Sequence, residues 1–152
     1  MIEVHERFDV PSDPQTVWEV LSNPHEVVGC VPGASLGEQY EDGSYDGSLT
    51  VKFGPTRVTF RARVSLELDD ATMTGRMTAQ GKDNQGGTRM KTGMSFNVTP
   101  QGSGSSVATD GQVEISGRLA GMIEGGASIL VNRMSSEFAR NLAKRCAVET
   151  AP

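Results

Sequence analysis

Hydrophobic positions fall along this chain in three regimes. From Ile2 to Val10 they alternate: Ile2, Val4, Phe8 and Val10 share one face, interrupted by Glu6, while Glu3, His5, Arg7 and Asp9 take the other. A period of two predicts a half-buried strand. Pro11 to Pro14 breaks it, and Asp13 is placed to cap a helix whose first position, Pro14, lacks an N–H that would be unsatisfied anyway. Val17, Trp18, Val20 and Leu21 give that helix a short apolar face. Asn23-Pro24 ends it and starts a second helix carrying Val27, Val28 and Val31, closed by Pro32-Gly33.

The second regime, Ala34 to Gly117, predicts strands throughout. Asp42-Gly43 is a hairpin turn between Leu36–Glu41 and a strand with Tyr45, Gly47, Leu49, Val51 and Phe53 on one face. After a turn at Gly54-Pro55, Val58, Phe60, Ala62, Val64, Leu66 and Leu68 alternate with Thr59, Arg61, Arg63, Ser65 and Glu67, the cleanest pattern in the chain. Asp69-Asp70 turns into an inward set of Met73, Gly75, Met77 and Ala79. Gly86-Gly87 turns into Met90, Thr92, Met94, Phe96 and Val98. A polar loop from Pro100 to Ser106 leads to Val107, Thr109, Gly111, Val113 and Ile115.

In the third regime Leu119, Met122, Ile123, Ile129, Leu130, Met134, Phe138 and Leu142 recur every three or four residues and predict one long helix to about Val148, despite Gly121, Gly125 and Gly126. Strand, two short helices, six strands and a long helix make an α+β chain. The expected architecture is a curved antiparallel sheet of about seven strands wrapped around the C-terminal helix. Without an internal repeat, the 152 residues fit one domain, residues 1–152.

Composition narrows the function. A formal net charge of -5 argues against binding nucleic acid by phosphate neutralisation. No apolar run reaches the roughly 18 residues of a spanning helix, and the first residues carry no secretory signal. Cys30 and Cys146 are too far apart in sequence to form a cysteine framework, so the expected setting is a reducing cytoplasm. His5 and His25 have no ligand-type residues at metal spacing, and no Gly-x-Ser-x-Gly elbow is present. The carboxylates Glu38, Glu41, Asp42, Asp46, Asp69, Asp70 and Asp83 read as turn and outward residues, which leaves no inward acid–base pair. Arg61, Arg63 and Arg76 read as outward, and Tyr40 and Tyr45 as turn residues.

The expected interior is unusual. Of the 7 methionines, Met73, Met77, Met90, Met94 and Met122 fall inward with Met134 beside them, opposite the small residues Gly47, Ala62, Gly75, Ala79 and Gly111. Met suits surfaces that adapt to variable apolar partners. Either the Met residues fill an ordinary core, or the sheet leaves a cavity for an elongated apolar ligand. The pattern leaves both open.

Longer motifs add a resemblance. Val10-Pro-Ser-Asp-Pro-Gln-Thr-Val-Trp18 is similar to the opening of START-like helix-grip (SRPBCC) proteins. Asn23-Pro24 leading to Gly29-Cys-Val-Pro-Gly-Ala34, Tyr45-Asp-Gly through Val51-Lys-Phe-Gly-Pro55, and Ile115-Ser-Gly-Arg-Leu-Ala120 resemble the G-subunit family of carbon monoxide dehydrogenase over nearly the whole chain. The resemblance implies a helix-grip fold with a hydrophobic tunnel. It also implies a non-catalytic accessory factor that works with a molybdenum-containing carbon monoxide dehydrogenase at the inner face of the bacterial cell membrane. The expected ligand is a respiratory quinone, menaquinone first, shuttled between membrane and enzyme. Longer family members carry a linker and an apolar segment beyond the helix, where this sequence stops at Pro152.

On this reading the ligand is lined by Phe53, Phe60, Ala62, Val64, Met73, Met77, Met90, Met94, Met122, Ile129 and Met134. Thr92 and Thr109 are placed to bond a quinone carbonyl. Val31, Pro32 and Gly33, with Phe53, form the tunnel mouth. Two other functions fit the pattern: a polyketide cyclase-like enzyme, which needs Tyr or Arg facing the interior, and a docking module for the dehydrogenase with a filled interior.

Overall fold

The N-terminal alternation forms β1 (Ile2–Val10), and the two Pro-initiated segments form α1 (Pro14–Leu21) and α2 (Pro24–Val28) in the computed structural model, which describes residues 1–53, 55–85 and 87–150 and all their side chains except those of Phe53 and residues 148–150. Asp13 caps α1 by accepting from the Thr16 N–H and hydroxyl, and Asn23 caps α2 by accepting from the His25 and Glu26 N–H groups. Six strands follow: β2 (Ala34–Gln39), β3 (Tyr45–Phe53), β4 (Thr56–Asp69), β5 (Thr74–Asp83), β6 (Thr88–Gln101) and β7 (Gly104–Gly117). The expected turns at Gly54-Pro55 and Gly86-Gly87 each include one residue, Gly54 and Gly86, outside those described.

All seven strands join one antiparallel sheet in the order β1-β7-β6-β5-β4-β3-β2. Pairing fixes which side chains share a face, because a one-residue slip would invert every strand. Val64 lies opposite Tyr45 and Ala79, Met77 opposite Met94, Met94 opposite Gly111, and Gly111 opposite Val4. This inner face looks toward the C-terminal helices.

The long helix expected from Leu119 is in fact two. A short α3 (Ala120–Gly125) ends at Gly126, and α4 (Ala127–Thr150) follows. Gly125 and Gly126 together weaken the helix, and the Gly126 N–H turns to the Met122 and Ile123 carbonyls. Met73 also departs from expectation. It sits before β5 in the β4–β5 turn, with a left-handed φ of 52°, and its carbonyl accepts from the Val98 N–H at 3.0 Å. The side chain therefore packs with the core at that end and does not continue the inward row of β5.

The core is divided. One cluster joins Val10, Val17, Trp18, Val20, Leu21, Cys30, Val98, Val107, Leu142 and Cys146, with Phe8, Phe96 and Phe138 against it. Trp18 is tied to the β4–β5 turn by its indole N–H, which donates to Asp70 Oδ1 at 2.8 Å. Phe8 and Phe138 meet edge-on at 5.8 Å. A second cluster joins Val51, Val58, Phe60 and Ile123, with Ile2, Leu49, Met90, Ile115, Leu119, Leu130 and Met134 packed around them.

Candidate functional site

Between the two clusters lies a stretch of inner face that belongs to neither. Ala62, Val64, Leu66, Met77, Met94 and Val113 point toward the helices by register, yet each stays partly accessible. The backbone of α4 runs closest to α1 and β1, at one margin of the sheet. Apolar side chains that face a helix without being buried by it leave accessible apolar surface on the inner face between the two core clusters.

The inward glycines do not create this surface. A Cβ on Gly75 would fall 2.2 Å from the Phe96 ring, which lies over that position. A Cβ on Gly111 would fall 2.3 Å from the Gly93 carbonyl oxygen and 2.5 Å from Met94 Sδ. These glycines let neighbours lean in and the sheet coil tightly. The accessible apolar surface there comes from half-buried Ala62, Val64, Met77 and Met94.

Of the expected lining residues, Ala62, Val64, Met77 and Met94 share the half-buried middle of the inner face. Phe60, Met90 and Met134 sit in or against the second cluster and form its closed end. Met122 and Ile129 are corrections: Met122 is 40% exposed and Ile129 74% exposed, so both face solvent. Leu130 and Met134 pack against the second cluster as the periodicity expects. The side chain of Phe53 lies outside the described residues.

Thr92 is on the inner row but nearly buried, and its hydroxyl donates to the Gln112 carbonyl at 2.8 Å. Thr109 donates to the Glu6 carbonyl at 3.5 Å. Both donors are taken up by backbone. Two acids stand on the inner face: Asp83, expected as a turn or outward residue, and Glu6, which already interrupts the apolar face of the first strand in the sequence. Asp83, paired with Phe60, is buried and accepts from the Gly87 N–H at 2.9 Å, stapling the β5–β6 hairpin. Glu6 lies opposite Thr109, half-buried. Tyr45 is not a turn residue but opens β3 on the inner row, with its ring edge-on to His25 at 6.1 Å. Its parity with Gly47 and Leu49 was the available signal. Arg61, Arg63 and Arg76 all face outward as expected.

The loop Val31–Gly33, expected as a tunnel mouth, leads into β2 at the β2–β3 margin of the sheet. The Gly33 carbonyl accepts from Thr50 N–H at 2.9 Å, and Asn141 of α4 donates to the Cys30 carbonyl at 3.1 Å. Arg133, about two turns earlier in α4, donates to the Lys52 carbonyl at 3.2 Å. Arg145 pairs with Glu26 at 2.6 Å. The loop thus lies between two points where α4 is tied to the rest of the molecule, Asn141 on Cys30 and Arg133 on Lys52. Burial raises the Cys30 thiol above its usual range, against the pull of Arg145 and with a further push from Glu26.

Surface depressions of about 500 and 400 Å³ open on the other side of the sheet, lined chiefly by charged and polar side chains such as Glu67, Arg76, Asp110, Lys91 and Glu114. Their chemistry is unlike that of the apolar inner face. Among the described residues no group of His, Cys, Asp and Glu is gathered to hold a metal ion, and no helix is long and apolar enough to cross a membrane.

Known structures share this architecture. A conserved protein from Geobacillus kaustophilus superposes with a TM-score of 0.78 at 18% identity, covering 97% of each chain. A START superfamily protein from Mycobacterium smegmatis gives 0.62 at 17% identity, covering 97% of this chain and 99% of its own. An aromatase/cyclase from a Streptomyces species gives 0.67 at 13% identity, covering 99% and 96%. The fold is therefore START-like helix-grip. No curated protein matches the sequence. A family model described as the carbon monoxide dehydrogenase G-subunit (CoxG) matches residues 7–147.

Proposed function

The chain belongs to the CoxG family, the G-subunit family of carbon monoxide dehydrogenase, and from that premise we propose that it carries a hydrophobic, lipid-like molecule in the cleft between sheet and α4. The carried molecule is a respiratory quinone, menaquinone first, exchanged between the inner face of the bacterial cell membrane and a molybdenum-containing carbon monoxide dehydrogenase. The family's name implies association with that enzyme; the cargo and the membrane step are our reading. One observation carries it: Ala62, Val64, Leu66, Met77 and Met94 face the helix without being buried. Covering such surface with an isoprenoid tail is favourable by about 25 cal/mol per Å², and flexible Met side chains tolerate its irregular shape.

A quinone head offers only acceptors, so it needs a donor. Thr92 and Thr109 spend theirs on backbone. The Tyr45 phenol, on the inner row at the start of β3 beside His25 of α2, is the donor we assign to the head group. Val31, Pro32 and Gly33 form the mouth. We assign the protein no chemistry on its cargo, since Arg61, Arg63 and Arg76 are outward and Asp83 is occupied; a cyclase-like enzyme would have to use Tyr45, beside His25, and half-buried Glu6, the inner-face groups that remain.

The test is native mass spectrometry of protein from a quinone-producing host, followed by organic extraction. Near-stoichiometric isoprenoid quinone is expected. An empty protein that also refuses added menaquinone and fatty acid overturns the carrier reading and leaves a docking module for the dehydrogenase. Met94→Trp is expected to block uptake while Ile129→Trp leaves it intact, and equal uptake by both variants argues against the assigned cleft.

A further inference from the structure

The sheet register gathers unpaired cations at one end of an acidic molecule. Lys52 lies directly opposite Arg57 across β3 and β4. Arg61 lies opposite Lys82, and Lys82 opposite Arg89, so three cations stand side by side on β4, β5 and β6. All are exposed. Like charges directly opposite one another in a sheet are destabilising. None of the five has a carboxylate within ion-pairing distance among the described residues. Two nearby acids are otherwise engaged: Asp83 holds the Gly87 N–H, and Glu124 holds the N-terminal ammonium at 2.7 Å.

Every one of these cations lies close to the β3–β4 or β5–β6 hairpin, at the end that also carries α3 and the start of α4. Arg133 reaches into the same end, beside Lys52. The exposed apolar side chains of Met122 and Ile129 are there too, and Ile129 stands one helical turn before Arg133. At the opposite end the turns carry Glu41, Asp42, Asp69 and Asp70. The net charge of -5 is therefore unevenly spread, with a basic, partly apolar tip and an acidic far end.

We propose that the hairpin tip, Lys52, Arg57, Arg61, Lys82, Arg89 and Arg133 with Met122 and Ile129, is the surface by which the protein docks on an anionic lipid bilayer. The inference deepens the carrier reading, which requires a membrane contact without locating it. Cations near an anionic leaflet are attracted within a Debye length of about 10 Å, so a basic tip binds although the whole molecule is acidic. Exposed Met and Ile side chains then enter the headgroup boundary, as in interfacial helices. Set this way, the loop Val31–Gly33, which lies beside the Lys52 end of β3, is next to the bilayer.

Co-sedimentation with vesicles tests it. The full chain is expected to bind phosphatidylcholine–phosphatidylglycerol vesicles at low salt, to bind pure phosphatidylcholine weakly, and to be released by high salt. Combining Arg57→Glu, Arg61→Glu and Lys82→Glu is expected to lower partitioning on the order of a hundredfold. A control combining Arg7→Glu, Arg140→Glu and Lys144→Glu has the same net charge change at other exposed sites, and is expected to bind nearly as the unaltered chain. Equal loss in both variants, equal binding to neutral vesicles, or no binding by the unaltered chain overturns the proposal. So does a tip variant that keeps vesicle binding but loses a carbon monoxide dehydrogenase partner, which would make the tip a protein interface. The salt series needs no variant, so misfolding cannot obscure the result. Uptake of a short-tailed, water-soluble quinone, measured without vesicles, separates this outcome from failure of the cargo reading: a protein that takes up quinone but ignores anionic vesicles refutes the docking surface alone.

Discussion

Truncating Met94 and Leu142 to alanine compares the cleft with the core in a single assay. Leu142 is fully buried in the first cluster. Replacing it removes transfer free energy of about 2.4 kcal/mol, and an unrelaxed void of about 60 Å³ at about 24 cal/mol per Å³ adds roughly 1.5 kcal/mol. Leu142→Ala is therefore expected to cost about 4 kcal/mol. Met94 is half-buried and belongs to neither cluster. About half of the same transfer free energy is at stake, roughly 1 kcal/mol, with no void to add because space already lies beside it. For a chain of 152 residues, where 1 kcal/mol moves Tm by about 2–4 °C, the expected drops are about 8–16 °C for Leu142→Ala and about 2–4 °C for Met94→Ala. The measurement is thermal unfolding by circular dichroism on protein stripped of any extracted ligand, repeated in urea to check the midpoints. Drops of similar size in the two variants would show that the middle of the inner face is packed solid, and the cleft would not exist.

Other outcomes follow from single contacts. Gly111→Ala places a methyl 2.3 Å from the Gly93 carbonyl, and is expected to lower stability by about 2 kcal/mol or more, read from urea midpoints. Asp70→Ala removes the acceptor of the Trp18 indole N–H and should cost about 1–2 kcal/mol, while Asp70→Asn, which keeps an acceptor, recovers most of it. Because burial raises the Cys30 thiol, the folded protein should react slowly at this residue with a thiol reagent at mildly alkaline pH, and rapid labelling should appear only on unfolding. The Asp42 carboxyl is held below the usual carboxylate range by the Ser44 hydroxyl first, then by the Ser44 N–H and by Arg63. A depressed folded value stabilises above the unfolded value and fades as pH falls through the folded one. Asp42→Asn should flatten stability against pH in that acid window, and an unchanged acid limb would contradict the assignment.

Most of the fold was legible because two periodicities rarely compete. The alternation from Val58 to Leu68 can only be a strand with one buried face, and Asp13-Pro14 and Asn23-Pro24 announce helix starts by their capping chemistry. What escaped depends on distant geometry. The spacing around Met122 and Ile129 suits one continuous helix, but the break at Gly126 changes the face each residue presents. Parity within a strand assigned Gly75 and Gly111 inward correctly. Whether the space beside them is empty depends on Phe96 and Met94 on the adjoining strand. Thr92 and Thr109 were correctly oriented, yet the carbonyls that use their hydroxyls belong to β7 and β1. Asp83 reads as a turn residue in the sequence, but it is the last residue of β5, and its carboxylate turns inward to hold the hairpin together.

The pairing of β1 with β7 has a consequence for biosynthesis. His5 and Asp110, joined at 2.9 Å, are 105 residues apart in the chain. β1 leaves the ribosome first, but the strand it pairs with is made nearly last, and Leu142 and Cys146, which complete the core beside Val10, come later still. The first strand must therefore wait, unpaired, for most of translation. Pairings this distant in sequence slow folding and expose bare edges to neighbouring chains. The polar residues Glu3, His5, Glu6, Arg7 and Asp9 make β1 a poor template for strand addition during that interval. Its charge pattern serves the nascent chain as much as the finished fold.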